Sequence, residues 1–269
     1  MFRRVLISFL VAGLSLSAGV DARAANKAST PTPFSTKGGE AVAKKAPKTI
    51  AKNVAVTSSL LLAFNSGYIN GACLSGAVVG GVAKQAVSAC TGAWTTSAVG
   101  FASGNSKAFQ TQTRAILSYL FGSAIAGYMN PKPVAFQLCD NTGVTFLVGA
   151  GLLYFASKLA DSNPNSMTCF YLALMANGLQ NSLTSVHTGN LCRTAHFSGI
   201  TSDMGTFVGQ CLRGNKDNLF KLKVFAALGA AFWLGGVTSY YVTQDMTSGS
   251  LLFSAALYLL IGSGLIVKA

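Results

Sequence analysis

Charge is what this chain has least of. Only 10% of its 269 residues are Asp, Glu, Lys or Arg, and just seven of those are acids, whereas a soluble domain carries about 25% charged residues. A surface facing water needs that charged skin, so the ordinary soluble class is excluded. Metal-binding patterns are missing as well. Histidines number two, and none of the six cysteines (Cys73, Cys90, Cys139, Cys169, Cys192, Cys211) falls in a C-x-x-C pair or a Cys/His spacing suited to zinc. They read as free structural thiols, although spacing alone does not decide a disulfide. There is no G-x-S-x-G, P-loop, H-E-x-x-H or dinucleotide fingerprint. The sequence therefore predicts no enzyme, no metal and no cofactor.

Apolar length takes the place of charge. Hydrophobic residues make up 51% of the chain. From residue 53 they form eight stretches: Val54–Leu74, Val87–Ser103, Thr113–Met129, Gly143–Leu159, Met167–Val186, Phe197–Leu212, Leu222–Val242 and Ser250–Val267. A straight helix crosses the hydrocarbon core with about 20 apolar residues. In lipid only helices and closed barrels satisfy their own backbone, and the two-residue alternation of a barrel is absent. The predicted fold is all-α, a polytopic transmembrane helical bundle of 6–8 helices over residues 53–269, with the lipid bilayer as its partner. The second and sixth stretches are short and rich in Gly, Ser and Thr, so each either spans or enters and leaves as a broken helix.

The net charge of +13 is concentrated at the start: nine of the twenty basic residues precede residue 53. The others are scattered singly near the ends of apolar stretches, which fits loop charges in a membrane protein and not a nucleic-acid surface. Residues 1–24 read as a signal peptide, with basic Arg3 and Arg4, an apolar Val5–Val20 run and a small-residue Ala22-Arg23-Ala24 site. Residues 25–52 are rich in Ala, Ser, Thr, Lys and Pro and are expected to be disordered. Two readings of this leader stand. One is a signal followed by a transit peptide, pointing to a plastid membrane of an alga with complex plastids. The other is a signal and a flexible tail, pointing to a plasma membrane or endomembrane.

The body repeats itself. Gly67 and Asn70 in the first stretch match Gly178 and Asn181 in the fifth, Thr91-Gly92 matches Ser198-Gly199, Gly104-Asn105 echoes Gly214-Asn215, and Gly122 finds Gly229. The near-constant offset predicts two related halves, about 54–160 and 167–267. If all eight stretches span, the halves share one orientation; if the second and sixth do not, they are inverted. Polar groups are costly in lipid unless paired, so their positions mark candidate sites. Asn177, Gln180, Asn181 and Thr184 share one helix face, with Ser66 and Asn70 as counterparts. Asp203 sits inside an apolar stretch and must face protein or water. His196 lies two helical turns before it. The candidate path for a small solute or ion is Asn70, Asn177, Gln180, Asn181, His196, Ser198 and Asp203, between the halves. The competing reading is packing glue in a membrane scaffold or assembly partner. Gly67, Gly92, Gly178, Gly199 and Gly205 are the candidate helix-packing positions.

The run Asn177-Gly178-Leu179-Gln180-Asn181, followed by Thr194-Ala195-His196-Phe197-Ser198-Gly199-Ile200-Thr201-Ser202-Asp203-Met204-Gly205, resembles the YoaK-like family of membrane proteins of unknown function. Members carry a G-x-Q-N element and then T-H-x-T-G-x-x-x-D-x-G. Here Ala195 is inserted and Ser198 replaces Thr. The first-half element, H-x-(S/T)-G-N, is degraded to Ser88-Ala89-Cys90-Thr91-Gly92-Ala93, without the His or the Asn. The resemblance spans roughly residues 55–267. It implies a polytopic membrane protein and supplies no substrate.

Overall fold

The computed structural model describes residues 48–78 and 84–267. The signal-like segment 1–24 and residues 25–47 lie outside the described residues. Among those described, the chain forms eight helices: α1 (Lys52–Leu74), α2 (Cys90–Ala102), α3 (Ser106–Met129), α4 (Thr142–Ser162), α5 (Thr168–His187), α6 (Phe197–Leu212), α7 (Leu219–Met246) and α8 (Leu251–Val267), with a 3-10 turn, Thr247–Ser250, joining the last two. The all-helical class agrees with the sequence. The helices follow the eight apolar stretches closely except at α3, which starts early at Ser106. There Asn105 caps the helix by accepting the Ala108 N–H at 3.1 Å, and the added first turns are polar.

One expectation is corrected. The segment 25–52, read as disordered, ends in an ordered piece. Strand β1 (Lys48–Thr49) pairs antiparallel with β2 (Gln137–Leu138), and Ile50 N–H donates to Phe136 O at 2.8 Å. For residues 48–50 the loop ahead of α4 supplies the backbone partners.

Contacts fix the helix directions. Lys52 lies over the Phe220 ring, and Gly71 meets Ser239, so α1 and α7 run parallel. The Tyr171 hydroxyl donates to Thr111 O while Gly178 meets Tyr119, so α3 and α5 run parallel. Helices α1 and α5 are antiparallel, joined by Ser66–Asn177 at their middles and Cys169 Sγ–Val78 O beyond the end of α1. Helices α4 and α8 are antiparallel, with Gly143 against Gly262 and Gly149 against Tyr258. Since α1 and α3 run in opposite directions, α2 between them begins and ends on one side. Its Ser97 meets Thr113 at 2.8 Å and its Phe101 ring lies 5.5 Å from Phe109. It is therefore antiparallel to α3 and starts near the middle of that helix. Helix α6 does the same against α7: the Phe197 ring is 4.1 Å from Phe232, halfway along α7, and Phe207 is 6.0 Å from Phe225 near its beginning. Both half-length helices end at a glycine with positive φ, Gly104 at 71° and Gly214 at 88°, the left-handed stop that glycine takes without a Cβ penalty.

Close approach of backbones seals the long pairs. A methyl group at Gly67 would collide with Phe232 O, and one at Gly235 with Phe64 O. The same two collisions recur on the other side of the molecule, Gly178 with Tyr119 O and Gly122 with Met175 O. The α7 glycine in the place of Gly122 is thus Gly235, whereas Gly229 meets open space. Of the five candidate packing glycines, Gly67 and Gly178 sit in these crossings. An added methyl at Gly92 or Gly205 would meet nothing within 4 Å, so neither sits in such a crossing. Gly199 meets only the His196 ring of its own helix start. The short helices are too exposed to have a partner at those faces.

The main core lies between α1, α3, α4, α5 and α8, with Ile69, Leu153, Phe170, Leu179 and Tyr258 fully enclosed. A smaller core joins α1, α6 and α7 through Ala63, Ile200, Phe225 and Leu228. All six cysteines are free. Two helices, Thr142–Ser162 and Leu219–Met246, are long and apolar enough to cross a membrane by length and composition.

Candidate functional site

Where α1 crosses α5, four of the predicted residues enter hydrogen-bonded arrangements. Gln180 is wholly buried and its amide is saturated. Its Nε2 donates to Leu62 O (2.8 Å) and Thr194 Oγ1 (2.9 Å), and its Oε1 accepts from Asn65 Nδ2 (3.1 Å) and the Tyr258 hydroxyl (2.7 Å). One turn back, Asn177 Oδ1 accepts from Ser66 Oγ at 2.7 Å. These bonds tie α1, α5, α8 and the chain entering α6 into one knot. Such saturation is what a buried amide requires, because an unpaired polar group there costs about 1–3 kcal/mol.

Asn70 and Asn181 act as clamps. Asn70 Oδ1 accepts from Ser88 N and Ser88 Oγ, both at 3.1 Å. Asn181 Oδ1 accepts from Ala195 N at 2.9 Å. Ser88 and Ala195 each sit one residue before the N-cap, Ala89 of α2 and His196 of α6. One asparagine per half thus fixes where a half-length helix begins.

The other predicted site residues stand apart. His196 and Ser198 are exposed at the start of α6, and Asp203 is exposed farther along it. The His196 ring covers Gly199, and among the described residues Asp203 takes no recorded hydrogen bond or ion pair, so the structure does not bring His196 and Asp203 together. His187 ends α5 inside a second polar cluster. Its Nδ1 lies 2.7 Å from Gln137 O, and its Nε2 lies 3.2 Å from Thr142 Oγ1. A carbonyl only accepts, so Nδ1 carries the proton and Nε2 accepts from Thr142. Asn130 completes the cluster, donating to Thr145 Oγ1 at 3.0 Å, while its Oδ1, 3.3 Å from Thr142 Oγ1, shares that single hydroxyl proton with His187 Nε2.

Sequence reasoning missed a groove of about 350 Å³ at the start of α2. Its walls are Gln85, Cys90, Ala93 and Thr96 on one side and Gln112 and Ala115 on the other, over a floor of Phe170 and Leu174. Gln112 Nε2 donates to Gln85 Oε1 at 3.0 Å across its rim. Among the described residues no charged side chain lines it. Its only sequence signal was the pair of glutamines bordering apolar stretches, and two exposed-looking amides carry little information singly. Tyr258 was missed for a different reason: a phenol in an otherwise apolar α8 reads as lipid-facing until its partner Gln180 is known. Among the described residues no group of three His, Cys, Asp or Glu side chains is placed to hold a metal.

Comparison with known proteins adds the family. The family model described as "Protein of unknown function (DUF1275)" matches residues 58–263. No curated protein and no solved structure matches the chain. The chain belongs to that family of unknown function, of which the YoaK-like membrane proteins are part.

Proposed function

We propose that this member of the family is an integral membrane protein made of two inverted repeats, and that it moves a small solute across the bilayer. Six helices (α1, α3, α4, α5, α7, α8) span; α2 and α6 are half-helices that enter from opposite sides. The observation that carries the reading is the antiparallel meeting of α1 and α5 at Ser66–Asn177, residues that correspond to each other in the two halves. A twofold relation between antiparallel helices needs an axis across their length, hence in the membrane plane. Inverted repeats with discontinuous helices starting near the midplane are the construction of many secondary transporters.

Lipid as the solvent is supported by the outer surface. Trp94 is 63% exposed and Phe101 74% on α2, and Trp233 is 67% exposed on α7, and apolar patches of this extent are rare on soluble monomers. α1 and α5 are less apolar because their inward faces carry the amide knot and its clamps, and α3 because its first turns, Ser106 to Arg114, are polar and charged. In the six-span arrangement Lys52, Lys132, Arg213, Lys216, Lys221 and Lys223 share the side on which α1 begins, against Lys84, Lys107, Arg114 and Lys158 on the other. This excess puts the start of α1 inside.

The test is solute entry into proteoliposomes. Uptake of at least one small neutral or ionic solute above protein-free vesicles, lowered in Asn181→Ala because the start of α6 is released, is the expected result. Absence of uptake across a broad panel, with a stoichiometric protein partner co-purifying, favours the second reading, a membrane assembly scaffold. The saturation of Gln180 supports that alternative, since a fully bonded amide offers nothing to a passing solute.

A further inference from the structure

The matched contacts of the two halves allow the groove to be compared with its counterpart. Gly67 and Gly178, Tyr119 and Phe232, and Ser88 and Ala195 occupy equivalent places by their partners. Continued along the same helices, these matches set Cys90 opposite Phe197, Ala93 opposite Ile200, Gln112 opposite Phe225 and Ala115 opposite Leu228. Ile200, Phe225 and Leu228, with Phe197 packed against them, are the smaller hydrophobic core. One fold position is therefore solid in the second half and hollow in the first, where thiol, methyl and amide groups replace two phenyl rings, an isoleucine and a leucine. The larger floor residues Phe170 and Leu174, opposite Ser59 and Ala63, return part of that volume, yet about 350 Å³ remains open.

A void that only filled space poorly would stay apolar at its rim. This one carries an amide pair, and it lacks charge. We propose that the groove is a binding site for a small uncharged molecule with an apolar body and an amide group. The body lies over Phe170 and Leu174. The amide exchanges hydrogen bonds with Gln85 and Gln112, whose mutual bond spends only one donor of Gln112 and one lone pair of Gln85. The volume is within the ordinary range for small-ligand sites, about 300–1,000 Å³. An ion is disfavoured because the site has no countercharge to offset its desolvation. The site itself stands on the groove and its amides; its use in transport rests on the proposed function above.

Cys90, in the groove wall and partly exposed, reports occupancy. The full-length protein in detergent is alkylated with N-ethylmaleimide, and Cys90 and Cys139 are followed separately by peptide mass spectrometry. Benzamide is expected to slow alkylation of Cys90 and leave Cys139 unchanged. Benzoate and benzylammonium, of the same shape but charged, should need roughly tenfold higher concentrations or more. Gln112→Leu should erase the preference for benzamide. Equal protection by all three probes, or none by benzamide, overturns the proposal, and this comparison on the unaltered protein decides even where Gln112→Leu does not fold. Uptake of labelled benzamide into proteoliposomes separates the two claims. Protection without uptake of any solute retains the site and removes the transporter reading; uptake without protection removes the site.

Discussion

Gln180 shows how much one side chain holds in place. Its four hydrogen bonds join three helices and the entry to α6. Hydrogen bonds between membrane helices average about 0.6 kcal/mol each, so Gln180→Leu is expected to cost roughly 2 kcal/mol, as it also strands the Asn65 amide, while the Tyr258 hydroxyl keeps Ala176 O as an acceptor at 3.4 Å. Thermal unfolding in detergent measures it, and an unchanged midpoint would mean the knot is idle. At this scale the sequence was partly legible. The helical spacing of Asn177, Gln180 and Asn181 placed them on one side of α5, but their partners Leu62, Thr194 and Tyr258 lie up to 118 residues away. Periodicity says that a polar face exists and is silent about what meets it. Asp203 drew attention as a carboxylate in an apolar stretch, yet that stretch is a half-length helix with an exposed flank, and length alone did not separate the two cases.

Among elements, the crossings of α1 with α7 and α3 with α5 rest on glycine. Gly67→Ala and Gly178→Ala each push a methyl into a carbonyl of the facing helix and should destabilise by about 1–3 kcal/mol. Gly92→Ala and Gly205→Ala, which face open space, should stay within about 0.5 kcal/mol of the starting protein. The contrast is read by unfolding midpoints of the four variants side by side; equal losses would dismiss the crossings as special. The glycines themselves were visible in the sequence, but not which of them touch anything. In a chain with 29 glycines the distinction needs the facing backbone, and Gly122 and Gly235 emerge only once that backbone is present.

For the whole molecule, the six-span arrangement proposed above predicts a pattern of sidedness. Cys139, before α4, and Cys211, at the end of α6, belong to one face; Ser103 and Asn163 belong to the other. A membrane-impermeant maleimide applied to sealed vesicles should therefore label Cys139 and Cys211 together, and cysteines introduced as Ser103→Cys and Asn163→Cys only from the opposite side. If all eight helices crossed, Cys211 would instead share a side with Ser103 and Asn163. Labelling needs mildly alkaline buffer, because burial, and then the Asp140 carboxylate beside it, holds the Cys139 thiol above its ordinary range. The eight apolar stretches were readable in advance. Whether the short stretches cross was not, since hydropathy has no direction; only the antiparallel meeting of α1 and α5 supplies one.

The pairing of α1 with α7, and of α3 with α5, also bears on biogenesis. Each half completes its crossings with a helix made by the other, so neither is self-sufficient. About 165 residues separate Gly67 from Phe232, and at some 5–20 residues added per second the glycine face of α1, under the six-span proposal, waits roughly ten to thirty seconds in the bilayer for its mate. During that interval the nascent chain presents an unclosed seam, and an insertion factor that shelters small-residue faces would act there.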